Sequence, residues 1–244
     1  MIINRDFKFI IFTSFFQRNL AFKYQNSQWC IDGFHKVPQG WTQLLILSLI
    51  LPQERLLFPF GYILCDSKSE ECYSEILDNF LTLMKSDNRQ VENPKIITVD
   101  FEVGLMNSIN IILKPQKVIG CFFHFSQCLW RKANELRLRK CEYKLLTIEL
   151  ITSMQFLCFV KKNDIYDIWE NIKKNFAIFP LFDEFRAYFE NNWLVFGKID
   201  TWNYNHLLHL SEKNQTEFQL TNNFLESFNN QLLIQNNNVL LIVF

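Results

Sequence analysis

Two aspartates, each closing a short strand-like run, are the residues of this chain best placed to do chemistry. Asp100 follows Lys95–Val99 in KIITVDFE, and Asp32 closes QWCID. A carboxylate directly after a strand lies at the carboxyl edge of a sheet, where α/β proteins bind ligands. A third acid, Glu226 in LTNNFLESFNNQL, falls in a helical pattern. There Leu225, Phe228 and Leu232 face inward, and Glu226 shares a polar face with Asn222, Asn223 and Asn230. Acids from two strand ends and a covering helix can hold two divalent ions about 3.5–4 Å apart, the arrangement that cleaves phosphodiesters. Magnesium, a hard ion, takes oxygen ligands of this kind. Taken singly, each acid also reads as a structural or solvated group.

The Cys and His residues form a second constellation. The chain has four histidines, and three of them fall in Cys121-x-x-His124 and His206-x-x-His209. Residues at i and i+3 on a helix project from one face and can share an ion. Thiolate with imidazole suits a tetrahedral zinc. The expectation is a structural zinc on Cys121, His124, His206 and His209 that helps place Glu226. The competing reading is a buried thiol with packing or surface imidazoles. A basic segment follows, Trp130, Arg131, Lys132, Arg137, Arg139 and Lys140, interrupted by Glu135 and Glu142. Such a segment is either a solvated face or a holder of DNA phosphates that positions the duplex without reading its sequence.

The elements that must carry these groups follow from periodicity. Phe7–Phe16 reads as a strand. Gln28–Asp32 is a short strand, with Gly33 suited to a tight turn directly beyond it. Gln43–Leu51 and Leu57–Cys65, separated by Pro52–Arg55, read as its antiparallel partners. Ser67-Lys68-Ser69-Glu70 has capping-box spacing, and Tyr73, Ile76, Leu77, Phe80, Leu81 and Met84 then follow at helical spacing. After the Lys95–Val99 strand, Phe101–Leu113 predicts a helix with Leu105, Ile109 and Ile112 on one face, and Val118–Phe125 a further strand. Leu145–Val160, Ile165–Phe176, Leu181–Trp193 and Asn222–Leu233 read as helices. Periodicity alone gives α/β; the order of elements suits a mixed sheet flanked by helices, with an α-helical insertion before the last core helix. The expected layout is an extension over 1–27, a core over 28–140, a helical insertion over 141–213, a last core helix over 214–234 and a tail over 235–244.

Bulk properties narrow the function classes. A chain of 244 residues can bury one sizeable core. Its formal net charge is zero, so no global basic field recruits nucleic acid and any binding must be local. Seven scattered cysteines fit reduced thiols better than a disulfide framework. FIIFTSFF is short for a signal peptide and reads as a buried strand, and Leu44–Leu51 falls far short of the roughly 20 apolar residues of a membrane span. No membrane partner is expected.

The order of CIDGFHKVP, ITVDFE, GCFFHFSQCLWRK and LTNNFLE resembles the transposase domain of Mutator-like elements (MULE), over roughly Trp29 to Gln231. The resemblance implies a ribonuclease-H-like core and a DDE/D site of Asp32, Asp100 and Glu226 holding two magnesium or manganese ions. It implies DNA strand cleavage and strand transfer on transposon ends and target DNA, in the nucleus, with the oligomeric state open. Two departures bear on turnover. DGFHKVP is one residue shorter than the family pattern and has Phe34-His35 where Thr-Phe is common, and Asn229 stands where many relatives carry His. The N-terminal zinc-finger module of many relatives is not in the sequence, which reads as a fragment or a decayed copy. A domesticated, non-catalytic DNA-binding or regulatory derivative and a non-transposing nuclease are the alternatives.

Overall fold

The computed structural model describes residues 2–3, 7–51, 56–85, 90–140, 142–177, 179–195 and 197–207. The expectations for Glu226, His209, the helix Asn222–Leu233 and the tail lie outside the described residues. Two compact units divide the described chain between Val118 and Ile119.

The first unit is a mixed open sheet with helices. Its strands are β1 (Ile2–Ile3), β2 (Lys8–Phe12), β3 (Trp29–Phe34), β4 (Gln43–Leu51), β5 (Leu56–Cys65) and β6 (Ile96–Val99), with β7 (Lys117–Gly120) reaching the boundary. Counting the two-residue β1, the order is β1-β2-β5-β4-β3-β6-β7. β3, β4 and β5 form an antiparallel meander, and β6 runs parallel to β3, with Ile31 opposite Val99. β4 is apolar along nearly its whole length because both its faces are covered. Its Leu45, Leu47 and Leu49 enter one core with Trp29, Ile31, Ile97 and Val99. Leu44, Ile46 and Ile50 enter a second core with Cys30, Leu57 and Leu64. The first core is closed by α2 (Glu70–Lys85), through Tyr73, Ile76, Leu77, Phe80 and Met84, and by Leu105 of α3 (Val103–Ser108).

Several expectations are corrected here. The strand expected over Phe7–Phe16 ends at Phe12, and α1 (Phe15–Lys23) begins at once. Ser14 and Gln17 form a reciprocal capping box, with Gln17 N donating to Ser14 Oγ at 3.2 Å and Ser14 N to Gln17 Oε1 at 2.8 Å. Gly33 makes no turn, because β3 continues through it in register with Leu45. The cap of α2 is Ser69, whose Oγ accepts from Cys72 N at 3.2 Å, whereas Ser67 Oγ accepts from Ser69 N. The helix after Asp100 starts at Val103 and widens into a π-helical turn over Ile109–Leu113, closed by left-handed Lys114 at φ 46°. The strand expected over Val118–Phe125 ends at Gly120, and α4 (Phe122–Glu135) follows. Phe125, Leu129 and Ala133 form the buried stripe of that helix, and a continuous apolar run cannot reveal the switch by periodicity alone.

The second unit is helical: α4, α5 (Lys144–Phe156), α6 (Ile165–Asn175), α7 (Asp183–Trp193) and the short α8 (Ile199–Trp202). Its centre is aromatic. Phe125 lies edge-on to Trp193 at 4.7 Å and stacks on Trp202 at 5.5 Å, while Trp169 meets Phe189 at 4.7 Å. Two buried polar edges are satisfied within the unit. Trp202 Nε1 donates to Trp193 O at 2.8 Å, and the Tyr204 hydroxyl donates to Gly120 O at 2.8 Å. The six described cysteines are thiols, none in a disulfide. Among the described residues no helix is long and apolar enough to cross a membrane.

Candidate active site

Asp32 and Asp100 are positioned by β3 and β6, two parallel neighbouring strands. The last paired positions are Ile31 and Val99; Asp32 is the next residue within β3, and Asp100 is the first residue beyond β6. Neighbouring strands lie about 4.8 Å apart. Ile31 and Val99 enter the core beneath α2, so alternation turns Asp32 to the opposite face, that of Cys30. Asp32 is buried at 4% exposure and Asp100 is half-buried. The Asp100 carboxylate accepts from Phe101 N at 2.6 Å. A buried bond from Gln28 Nε2 to Thr98 Oγ1, 2.5 Å, ties the start of β3 to β6 on that same face. Two carboxylates that follow paired positions of adjacent strands have the donor chemistry that magnesium or manganese requires. The third expected ligand, Glu226, lies outside the described residues.

The other face of this sheet end carries a polar network that sequence reasoning missed. Gln43, at the start of β4, donates from Nε2 to the Tyr73 hydroxyl at 2.5 Å. Tyr73 donates to Glu102 Oε1 at 2.6 Å, and Lys68 Nζ lies 3.4 Å from Glu102 Oε2. Burial, followed by the bond to Glu102, pushes the Tyr73 hydroxyl well above the ordinary tyrosine range. Lys68 Nζ also approaches His35 Nε2 at 3.5 Å. Partial desolvation of His35, then the charge of Lys68, holds its imidazole below the ordinary 6.5, with Glu102 and Asp100 opposing the shift. The available signals were weak: a glutamine opening an apolar run, and a hydroxyl on an otherwise apolar helix face.

The remaining expected residues belong to the helical unit. Cys121 is buried at the N-cap of α4, and His124 lies on its first turn. His206 lies just beyond α8. Among the described residues no three His, Cys, Asp or Glu groups converge in a metal cluster, and His209 is outside them. Arg131 is exposed on α4. Lys132 is engaged within the unit, 3.1 Å from Glu184 and over the Tyr188 ring. Arg139 lies over Trp130, and exposed Arg137 takes a left-handed backbone at φ 56°. Lys140 is exposed.

Residues 28–128 match the family model of the MULE transposase domain. The match contains Asp32, Asp100, Cys121 and His124, and ends before the basic segment. A search of curated proteins finds no match.

Proposed function

From the MULE transposase domain match over residues 28–128, we propose that this chain carries a DDE-type transposase site for metal-dependent DNA strand cleavage and strand transfer. The observation that carries the proposal is that Asp32, within β3, and Asp100, directly after β6, each follow the paired residues Ile31 and Val99 of parallel neighbouring strands. The order of three antiparallel strands, helix, strand, helix, strand, helix from β3 to α4 supports a ribonuclease-H-like core.

In this reading Asp32 and Asp100, with Glu226 as third ligand, hold two magnesium or manganese ions. Such ions, when bound, supply an activated water or 3′-hydroxyl and stabilise the leaving oxygen. The protein's part is positional. β3 and β6 fix the spacing of the two carboxylates, and burial of Asp32 limits its rotamers. Zinc on Cys121, His124, His206 and His209 remains a proposal of the same reading, tested by metal analysis of the purified chain. Action on DNA places the protein in the nucleus.

The deciding experiment is cleavage of duplex DNA in manganese by the wild-type chain and by Asp32→Asn and Asp100→Asn. Loss of about 100-fold or more in each variant is expected, since each removes an anionic ligand. Cleavage equal to wild type overturns the site. DNA binding without any wild-type cleavage favours the non-catalytic derivative.

A further inference from the structure

The network beneath the two aspartates links the strand bearing Asp32 to the loop bearing Asp100. Gly33 adjoins Asp32 in β3 and presents no Cβ; one built there would lie 2.9 Å from Gln43 Oε1. Gln43 therefore fits closely over β3 and reaches across to Tyr73. The glutamine amide supplies its proton to the tyrosine oxygen, leaving the single hydroxyl proton for Glu102. Gln43 and Tyr73 are 1% and 0% exposed, so neither polar group can turn to water instead. Glu102 stands two residues beyond Asp100, and its carbonyl accepts from Met106 N at 3.0 Å as α3 begins. α3 is itself fastened to α2, with Ser108 Oγ donating to Glu70 O at 2.8 Å.

We infer that Tyr73, held between Gln43 and Glu102, is a positioning residue that sets the Asp100–Glu102 loop against the rim of β3, and that Glu102 braces this loop and is not an ion ligand. The positioning matters to chemistry only under the two-ion reading above; the geometry stands without it. Both Glu102 oxygens have protein partners, Tyr73 and Lys68, on the α2 side of the sheet. Asp32 turns to the other side. A carboxylate anchored in this way fixes the backbone through which Asp100 is aimed. Ligand groups displaced by about 1 Å lose much of their effect.

Tyr73→Phe deletes one oxygen and keeps the ring in the core. Hydrogen exchange followed by mass spectrometry on the full chain reads the loop directly. Exchange of the Phe101–Ser108 amides is expected to quicken about tenfold, with protection of β4 unchanged. Titration with manganese alone, by calorimetry, is expected to show about tenfold weaker binding. Glu102→Gln keeps an amide oxygen for the Tyr73 proton and is expected to stay within about twofold of wild type in both measurements. Unchanged exchange in Tyr73→Phe overturns the positioning role. Manganese binding lost as deeply in Glu102→Gln as in Asp100→Asn makes Glu102 a ligand and overturns its bracing role. Absence of Asp100-dependent manganese binding in the wild-type chain overturns the two-ion reading. The exchange measurement then decides the positioning role by itself: faster exchange upholds it and unchanged exchange overturns it.

Discussion

Gly33 and Gln43 share a space that admits only one of their side chains. Adding a methyl group in Gly33→Ala puts Cβ 2.9 Å from Gln43 Oε1, so the glutamine amide must shift, which disturbs its bond to Tyr73. The expected cost is about 1–3 kcal/mol, from overpacking and a disturbed buried bond. Urea midpoints measure it, and the double variant with Gln43→Ala should fall short of the sum of the single effects, because the clash disappears with the glutamine. His35 gives a pH signature at the same rim. Burial and Lys68 lower its folded pKa, so the unfolded chain takes up the proton first. Its contribution is present above the unfolded value of about 6.5 and is lost as the pH falls through that value toward the folded pKa. Urea midpoints measured from about pH 5 to pH 8 should therefore rise with pH more steeply in wild type than in His35→Gln.

At the scale of elements, α2 holds the site end together. It closes the first core with its apolar face, presents Tyr73 to the polar network and receives α3 along its first turn, where Gly104 lies close to the Glu70 backbone. The start of this helix is therefore where stability and site geometry meet. Ser69→Ala removes the side chain that accepts from Cys72 N and is expected to cost about 1 kcal/mol. Ser67→Ala touches only the Ser69 amide and should cost less. Thermal denaturation of the two variants distinguishes the true cap from the serine that the capping-box spacing suggests. β5 makes a matching allowance for α2. Gly61 admits the Phe80 ring, whose Cε2 would lie 2.8 Å from a Cβ on that residue.

At the scale of the whole molecule, each unit has its own kind of core, mainly aliphatic around the sheet with a Trp29–Phe60–Phe80 aromatic group, and mainly aromatic among the helices. Trp202→Ala opens the second core beside Phe125 and removes the donor to Trp193 O, at an expected cost of about 3–5 kcal/mol read by denaturant unfolding. With zero net charge overall, attraction to DNA depends on exposed residues such as Arg131. Arg131→Glu should weaken binding of duplex DNA and flatten its salt dependence, as fluorescence anisotropy would show; unchanged binding would mark that face as merely solvated. By itself the sequence determined the succession of strands and helices from β3 to α4 and the place of Asp100 directly after a strand, because strand alternation, helical spacing and an acid after a β-branched run are local properties; it ended the first strand at Asp32, whereas β3 runs on to Phe34. Local apolar runs left Phe16 and Phe125 assigned to strands, since such a run has no period to distinguish the two states. Only the tertiary structure decided that β6 lies parallel to β3 with Ile31 opposite Val99, the residues that precede the two aspartates. It alone joined Gln43, Tyr73 and Glu102, which lie 30 and 29 residues apart along the chain. Register between distant strands and the fit of one side chain into the space left by another depend on the packed sheet, and no stretch of sequence contains them.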